Sequence, residues 1–346
     1  MYPAHLIRRF LFPAGLLTGV LLLTSGLLTA CVHPSTAPPS QRLPTRAAVP
    51  TSTLTPTSTP FPISAGTYYE EGVARQEAGD VEGALQSFTW AIQLSRDFAP
   101  AYVARGSVYL AGGELDLALT DADAALEVDP ASAPAYALRG EALRLLGHAH
   151  PALEAFDRAV ALDPTLREET FRSRWLAARA VRDVAHLLAL SREYADAHPD
   201  DPLRHYYRGW ALVELDAPRA AIKVLREGIE DAPQQSALLW FALGQAYVEN
   251  GSWEEAVTSF EAARALVQAG DTSMLIHSDQ SIADLFGALG RAYLGAGRCV
   301  DAEAMLEYAV SIGAPASEYT ATLREARICQ TPTPTATPYP TVTPFR

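Results

Sequence analysis

Residues 102–130 read YVARGSVYLAGGELDLALTDADAALEVDP, and this stretch decides which fold we expect. Its apolar residues recur at helical spacing on both sides of Gly113, which predicts two helices joined by a tight turn. Gly106 in the first helix and Ala118 in the second are small, so the two backbones can approach closely where the helices cross. The Asp-Pro pair that closes the stretch stops the second helix. The stretch therefore predicts a helical hairpin.

The same hairpin recurs along the chain at a step of 34 residues. A regular step of this size, with one helical hairpin per step, predicts stacked units that share one continuous core. The positions that keep the step are Tyr68, Tyr102 and Tyr136; Gly72, Gly106 and Gly140; Gly79, Gly113 and Gly147; Ala84, Ala118 and Ala152; and Ala91, Ala125 and Ala159.

This pattern resembles the tetratricopeptide repeat (TPR). Further units are marked by Gly209 and Ala221; by Trp240, Gly244, Tyr247, Gly251, Ala256, Phe260 and Ala263; and by Phe286, Gly290, Tyr293, Gly297, Ala302 and Ala309. The resemblance implies an all-α solenoid of about seven helical hairpins over residues 65–315. Residues 316–330 carry an apolar helical stripe and are expected to form a helix that caps the last unit.

Two features depart from the repeat. In the fourth unit, Trp175 stands where the first helix should carry Gly, and Leu187 stands where the second should carry Ala. Two large residues at a close crossing predict splayed helices or a shifted register, and hence a local change in curvature. Twelve extra residues, 271–282, separate the sixth and seventh units. Their Met-Leu-Ile cluster could dock on the solenoid, although a solvated loop or a helix extension is the commoner outcome.

The N-terminus has the pattern of an export signal. Arg8 and Arg9 precede an uncharged apolar run over residues 10–30, and Cys31 follows directly. The junction resembles a bacterial lipobox, which implies that residues 1–30 are a lipoprotein signal peptide and that Cys31 carries the lipid. An uncleaved membrane anchor remains the alternative. Both interpretations predict a membrane-attached chain whose bulk lies on the extracytoplasmic face.

Thr/Pro-rich segments flank the predicted array at residues 31–64 and 331–346. Residues 33–62 include 8 Pro, 7 Thr and 4 Ser, with no periodic apolar face. Such segments cannot bury enough apolar surface to offset the entropy of ordering, so we expect both to be disordered. A spacer is the favoured interpretation of the first segment, and a Pro-rich docking motif or a glycosylated stalk are the alternatives.

Cysteine content supports an oxidising location. If Cys31 is lipidated, Cys299 and Cys329 remain as an even pair. Cys299 would begin one helix and Cys329 would end the next, and successive helices run antiparallel, so the two sulfurs should lie close together. We expect a disulfide that closes the end of the array, with two buried free thiols as the alternative.

Motifs for catalysis, cofactors or metals are missing from the sequence. It contains no Gly-rich phosphate loop, zinc-type Cys or His pair, or nucleophile elbow. His148 and His150 have no third ligand at metal spacing. The net charge of −13 opposes binding to nucleic acid, whose phosphates require a basic surface. We therefore predict a non-enzymatic protein with no cofactor, no metal and no nucleic-acid partner.

The resemblance implies that partners bind on the concave face, which the first helices line. Along that face we expect a cluster of arginines beside an aromatic patch, and these residue types dominate recognition energies. The alternative is that part of the patch is packed between helices. The residues predicted to contact a partner are Arg144, Arg172, Arg179, Tyr206, Trp210, Phe241 and Gln245.

These features predict a lipid-anchored interaction scaffold whose groove binds a peptide with an aromatic anchor and a carboxylate. An envelope assembly factor or chaperone-like holdase for exported clients is the alternative, since it would use the same aromatic patch. Arg105 precedes the glycine of its unit and could be mistaken for a binding residue. Pairing with Asp121 of the second helix gives it a structural role instead.

Overall fold

The computed structural model describes residues 64–232, 236–278 and 280–330. The predicted signal peptide with Cys31, all of the first Thr/Pro-rich segment except its last residue, and the tail at 331–346 lie outside these ranges. In the part of the chain that the structure describes there are sixteen helices and no strand, which confirms the all-α prediction.

The helices follow one another as antiparallel hairpins. Their bounds are α1 Ala65–Glu77, α2 Val81–Leu94, α3 Ala99–Ala111, α4 Leu115–Val128, α5 Ala133–Leu145, α6 Ala149–Leu162, α7 Leu166–Ala180, α8 Val184–Ala197, α9 Leu203–Glu214, α10 Pro218–Asp231, α11 Ala237–Glu249, α12 Trp253–Gln268, α13 Ser273–His277, α14 Ile282–Gly295, α15 Cys299–Ser311 and α16 Ala316–Gln330. Helices α1–α12 form six hairpins, α14 and α15 form the seventh, and α16 packs on α15. None of these described helices combines the length and apolarity that a bilayer crossing needs.

Most hairpins have a glycine in the first helix where the two helices cross. In five units this glycine lies against a large side chain sixteen residues later, in the second helix. The pairs are Gly72–Phe88, Gly140–Phe156, Gly209–Leu225, Gly244–Phe260 and Gly290–Leu306. A Cβ at Gly244 would lie only 2.5 Å from the Phe260 ring, so any side chain there would collide with the core. The small residue is therefore a packing requirement.

In the fourth hairpin, large residues occupy the positions where the two helices cross. Trp175 and Leu187 are both completely buried, and α7 and α8 pack less extensively than the helices of the other hairpins. This looser pairing agrees with the predicted splaying. Sixteen residues after Trp175 the chain carries the small, buried Ser191 in place of Phe or Leu. The small side chain of Ser191 in the second helix thus compensates for the large indole of Trp175 in the first helix.

Turn geometry also differs in the middle of the array. Gly113 adopts φ +80°, and most units place a glycine with positive φ at the equivalent turn position. The fourth and fifth units have Arg182 at φ 53° and Asp216 at φ 59° instead. A residue with a Cβ pays about 1–2 kcal/mol for this left-handed conformation. The two central units therefore carry backbone strain that the others avoid.

The Arg105–Asp121 pair has the structural role that the sequence predicts. Nε and Nη2 of Arg105 donate to the two carboxylate oxygens of Asp121 at 2.9 and 2.7 Å. The Asp121 side chain is only 5% exposed, and its hydrogen bond raises the pKa of Arg105. The pair ties the two helices of the second hairpin together across their crossing.

The last hairpin is closed by the disulfide between Cys299, at the start of α15, and Cys329, near the end of α16. Their Cα atoms lie 5.9 Å apart. Helix α16 also inserts the fully buried ring of Tyr319 into the space left by Gly287 of α14. The capping helix is thus fixed by one covalent bond and one aromatic anchor.

We expect Gly244→Ala to lower the free energy of unfolding by about 1–3 kcal/mol, since the new methyl overpacks against Phe260. Gly66→Ala is the matched control because its Cβ would meet nothing closer than the Ser64 hydroxyl oxygen at 3.6 Å. In that helix, alanine should be neutral or stabilising by up to about 1 kcal/mol. Urea denaturation followed by circular dichroism compares the two variants, and equal midpoints would contradict the packing requirement.

Candidate functional site

The first helices of the hairpins line the inner side of the array. Neighbouring first helices contact one another directly, as in α3 with α5, α5 with α7 and α9 with α11, whereas neighbouring second helices make at most slight contact among the described residues. Elements on the inside of a curved stack lie closer together than those on the outside. This inner face is the surface on which the sequence predicts partner binding.

The predicted aromatic patch is buried within the array. Tyr206 and Phe241 have no exposed surface, and Trp210 is only 7% exposed. The reason is the tight pairing of α9 with α11, which stacks the rings of Trp210 and Phe241 with their centroids 6.3 Å apart. The prediction that these residues offer an aromatic surface to a partner is therefore wrong. The alternative interpretation, packing between helices, is correct.

The three predicted arginines are each engaged inside the molecule. Arg144 donates from Nε and Nη2 to both carboxylate oxygens of Glu141, at 2.9 and 2.5 Å. The guanidinium carbon of Arg179 lies 4.6 Å from the centroid of the Trp210 ring, in a cation–π contact. Because a carboxylate of its own helix already matches Arg144, the predicted arginine cluster does not present three open cations to a partner.

The insertion (residues 271–282) crosses this inner face. Met274 of α13 is 1% exposed, whereas Leu275 and Ile276 are 55% and 53% exposed. The expectation of a solvated loop or helix extension is therefore wrong for Met274, which anchors the segment in the core.

Hydrogen bonds fix the insertion at both ends. At its start, Asp271 Oδ2 and Ser273 Oγ accept from the backbone amides of Ala237 and Leu238, which begin α11. At its end, Nη2 of Arg172 in α7 donates to the carbonyl oxygen of Ser278 at 3.1 Å. The chain thus covers part of its own inner face between α7 and α11.

The electrostatics beneath the insertion favour neutral groups. Burial lowers the pKa of His277 below its ordinary value, and the carboxylate of Asp201 opposes this only in part. Burial and a 2.6 Å hydrogen bond to Asp201 raise the pKa of Tyr194. Burial likewise raises the pKa of Tyr207. Near neutral pH, both phenols therefore stay protonated.

A cavity remains open on the inner face beyond the insertion. It has a volume of about 360 Å³ and lies between α11, α14 and the capping helix α16. Its walls include Gln245, Val248, Trp253, Arg291, Thr322 and Glu325. Gln245 is the one residue of the predicted binding set that lines it. The repeat spacing gave no signal for Thr322 and Glu325, because they belong to the cap and not to a repeat.

Among the described residues, no group of three or more His, Cys, Asp or Glu side chains is arranged to hold a metal ion. The cavity walls combine apolar side chains with a few hydrogen-bonding groups, which suits recognition of an organic ligand or a peptide.

We expect acidification to loosen the insertion. Because the docked form disfavours charged His277, it binds fewer protons than the released form, so its stabilisation is complete above the ordinary pKa of about 6.5 and is lost as pH falls below it. Amide hydrogen exchange of residues 273–278, corrected for intrinsic rates, should show weaker protection at about pH 5 than at neutral pH. His277→Asn should remove this difference, and its persistence in that variant would contradict the assignment.

Comparisons with known proteins agree with this architecture. A family model described as tetratricopeptide repeat matches residues 69–127, 103–167 and 206–271. No curated protein matches the sequence. The structure is similar to a tetratricopeptide repeat protein from Parabacteroides merdae, with 15% identity, 76% of this chain and 98% of that chain covered, and a TM-score of 0.59.

A second similar structure is the APC/C hetero-tetramer Cut9–Hcn1, with 16% identity, 75% of this chain and 48% of that chain covered, and a TM-score of 0.50. At such identities these similarities concern the fold alone. The family match recognises tetratricopeptide repeats within residues 69–167 and 206–271, and the similar solved structures share the same stacked arrangement of helices.

Proposed function

We propose that this protein is a lipid-anchored scaffold on the extracytoplasmic face of a bacterial membrane, where its inner face binds an extended peptide segment of a partner protein. The observation that carries the proposal is the array of tetratricopeptide repeats with an inner face lined by first helices. Arrays of this kind are generally non-enzymatic scaffolds that bind proteins or peptides.

The extracytoplasmic location is supported by two independent features. Arg8 and Arg9 precede an apolar run over residues 10–30, and Cys31 follows directly, as in exported lipoproteins. The Cys299–Cys329 disulfide is the kind of bond that persists in oxidising compartments and is rare in the cytosol. An exported, membrane-anchored chain accounts for both features.

The burial of the aromatic patch bears on the choice between functions. A holdase for exported clients would need an exposed apolar surface, and the patch that suggested this alternative lies between α9 and α11. A scaffold needs only a shaped surface with hydrogen-bonding groups. The burial of this patch therefore favours the scaffold over the holdase.

We expect Cys31→Ser to move the protein from the membrane fraction to the soluble or secreted fraction, because the lipid attachment point is lost. Cys329→Ser is the matched control, since it opens the Cys299–Cys329 disulfide but leaves Cys31, the predicted lipid attachment point, in place. Fractionation followed by immunoblotting measures the distribution. A Cys31→Ser protein that stays entirely in the membrane would contradict lipid anchoring and favour an uncleaved anchor.

Partner binding is testable by site-specific photocrosslinking in cells. A photoreactive amino acid at Ser107, on the first helix α3, should give one or a few discrete crosslinked species. The same group at Lys223, whose side chain is 79% exposed on a second helix, should give none of them. Equal crosslinking from Lys223, or a broad smear from every position, would contradict binding on the inner face.

A further inference from the structure

The cavity at the cap end of the inner face is lined by apolar side chains and by hydrogen-bonding groups of both kinds. Val248, Trp253 and Leu294 supply much of the apolar surface. Among the hydrogen-bonding groups, Gln245 and Arg291 belong to the repeats and can donate, whereas Glu325 belongs to α16 and can accept. The cavity lining therefore offers hydrogen-bond donors and acceptors beside its apolar surface.

This arrangement fits an extended polypeptide. A peptide backbone presents N–H and C=O groups in opposite directions, while its side chain projects between them. The volume of about 360 Å³ is near the lower end of the range for ligand pockets, roughly 300–1,000 Å³. A cavity of this size accommodates one large side chain but no helix or strand of a partner.

Arg291 remains accessible for such a contact. Its side chain is 42% exposed, and the distance from its Nη1 to Glu318 Oε1 is 3.7 Å, which is longer than a hydrogen bond. The guanidinium carbon lies 5.6 Å from the centroid of the Tyr319 ring, so the group is oriented by the cap without being fully engaged. A carbonyl oxygen of a bound peptide can accept from it.

One wall of the cavity depends on how α16 is attached. Only Tyr319 and Ala326 are buried on this helix, which is little apolar anchoring for fifteen residues. Arg327 forms exposed ion pairs with Glu303 and Glu307, and exposed pairs of this kind add little stability. The disulfide is thus the strongest constraint that holds Thr322 and Glu325 in place.

We propose that this cavity receives a single large apolar side chain of an extended peptide, and that the Cys299–Cys329 disulfide keeps the binding wall formed by α16 in position. The inference rests on the proposed function and specifies the part of the partner that is recognised. The peptide's side chain enters between α11, α14 and α16, and its backbone forms hydrogen bonds with Gln245, Arg291 and Glu325. The insertion covers the inner face between α7 and α11, which leaves this end open.

The test uses two blocked peptides, acetyl-Ala-Phe-Ala-amide and acetyl-Ala-Ala-Ala-amide, with the full chain labelled at its methyl groups. Titration of the Phe peptide should shift the NMR signals of Val248, Ala288 and Leu294, which line the cavity. The Ala peptide should bind at least about 10-fold more weakly, because the anchor side chain carries most of the affinity. Equal binding of both peptides would overturn the assignment.

Two substitutions on the same helix separate the cavity from general effects on the cap. Thr322→Phe fills the cavity from its α16 wall, whereas Thr320→Phe adds the same ring at an exposed position of α16. The first should weaken the Phe peptide about 10-fold or more, and the second should leave its affinity within about 2-fold. Unchanged binding to Thr322→Phe would overturn the proposal.

A separate substitution tests the role of the disulfide. Cys329→Ser removes the covalent bond at an exposed residue, and we expect the affinity for the Phe peptide to fall at least about 5-fold while far-ultraviolet circular dichroism stays unchanged. Wild-type affinity in this variant would overturn the disulfide's part in the proposal.

The two proposals fail in different ways. If the inner-face crosslinks form but Thr322→Phe binds the Phe peptide as well as wild type does, the scaffold stands and the cavity assignment fails. If the peptide binds in the cavity but no inner-face crosslink forms, the cavity assignment stands and the scaffold fails.

Discussion

The close approach of two helices at a glycine is the constraint on which the rest of the array depends. Five hairpins place a large residue of the second helix directly against the bare backbone of the first, as Phe260 lies against Gly244. This contact fixes how closely each pair packs. The hairpin is therefore the rigid unit, and the shape of the array follows from how the hairpins stack.

The fourth hairpin shows that the constraint concerns volume and not residue type. Trp175 occupies the first-helix position, and Ser191 replaces the large residue of the second helix, so the crossing is filled from the opposite side. The indole of Trp175 also contacts the Tyr207 ring with centroids 4.8 Å apart. An aromatic core continues from there through α9 to α11, which explains why the middle of the array carries so many buried rings.

This buried core changes where a partner can bind. Stacking of Trp210 on Phe241, together with Met274 of the insertion, uses apolar groups that would otherwise be exposed on the inner face. In the middle of the inner face, these apolar side chains therefore pack in the core and stabilise the fold. At one end of the face, the capping helix completes a cavity that the repeats alone would not form.

The sequence by itself determined the hairpins and their number, because a 34-residue step with glycine and alanine at fixed positions predicts stacked helical hairpins that cross closely at those residues. The apolar stripe of residues 316–330 determined the capping helix. It also predicted the pairing of Arg105 with Asp121, since both lie within one unit. Only the tertiary structure decided that Tyr206 and Phe241 are buried and that the insertion docks. Those outcomes depend on distances between neighbouring units, and a pattern that repeats within each unit carries no information about them.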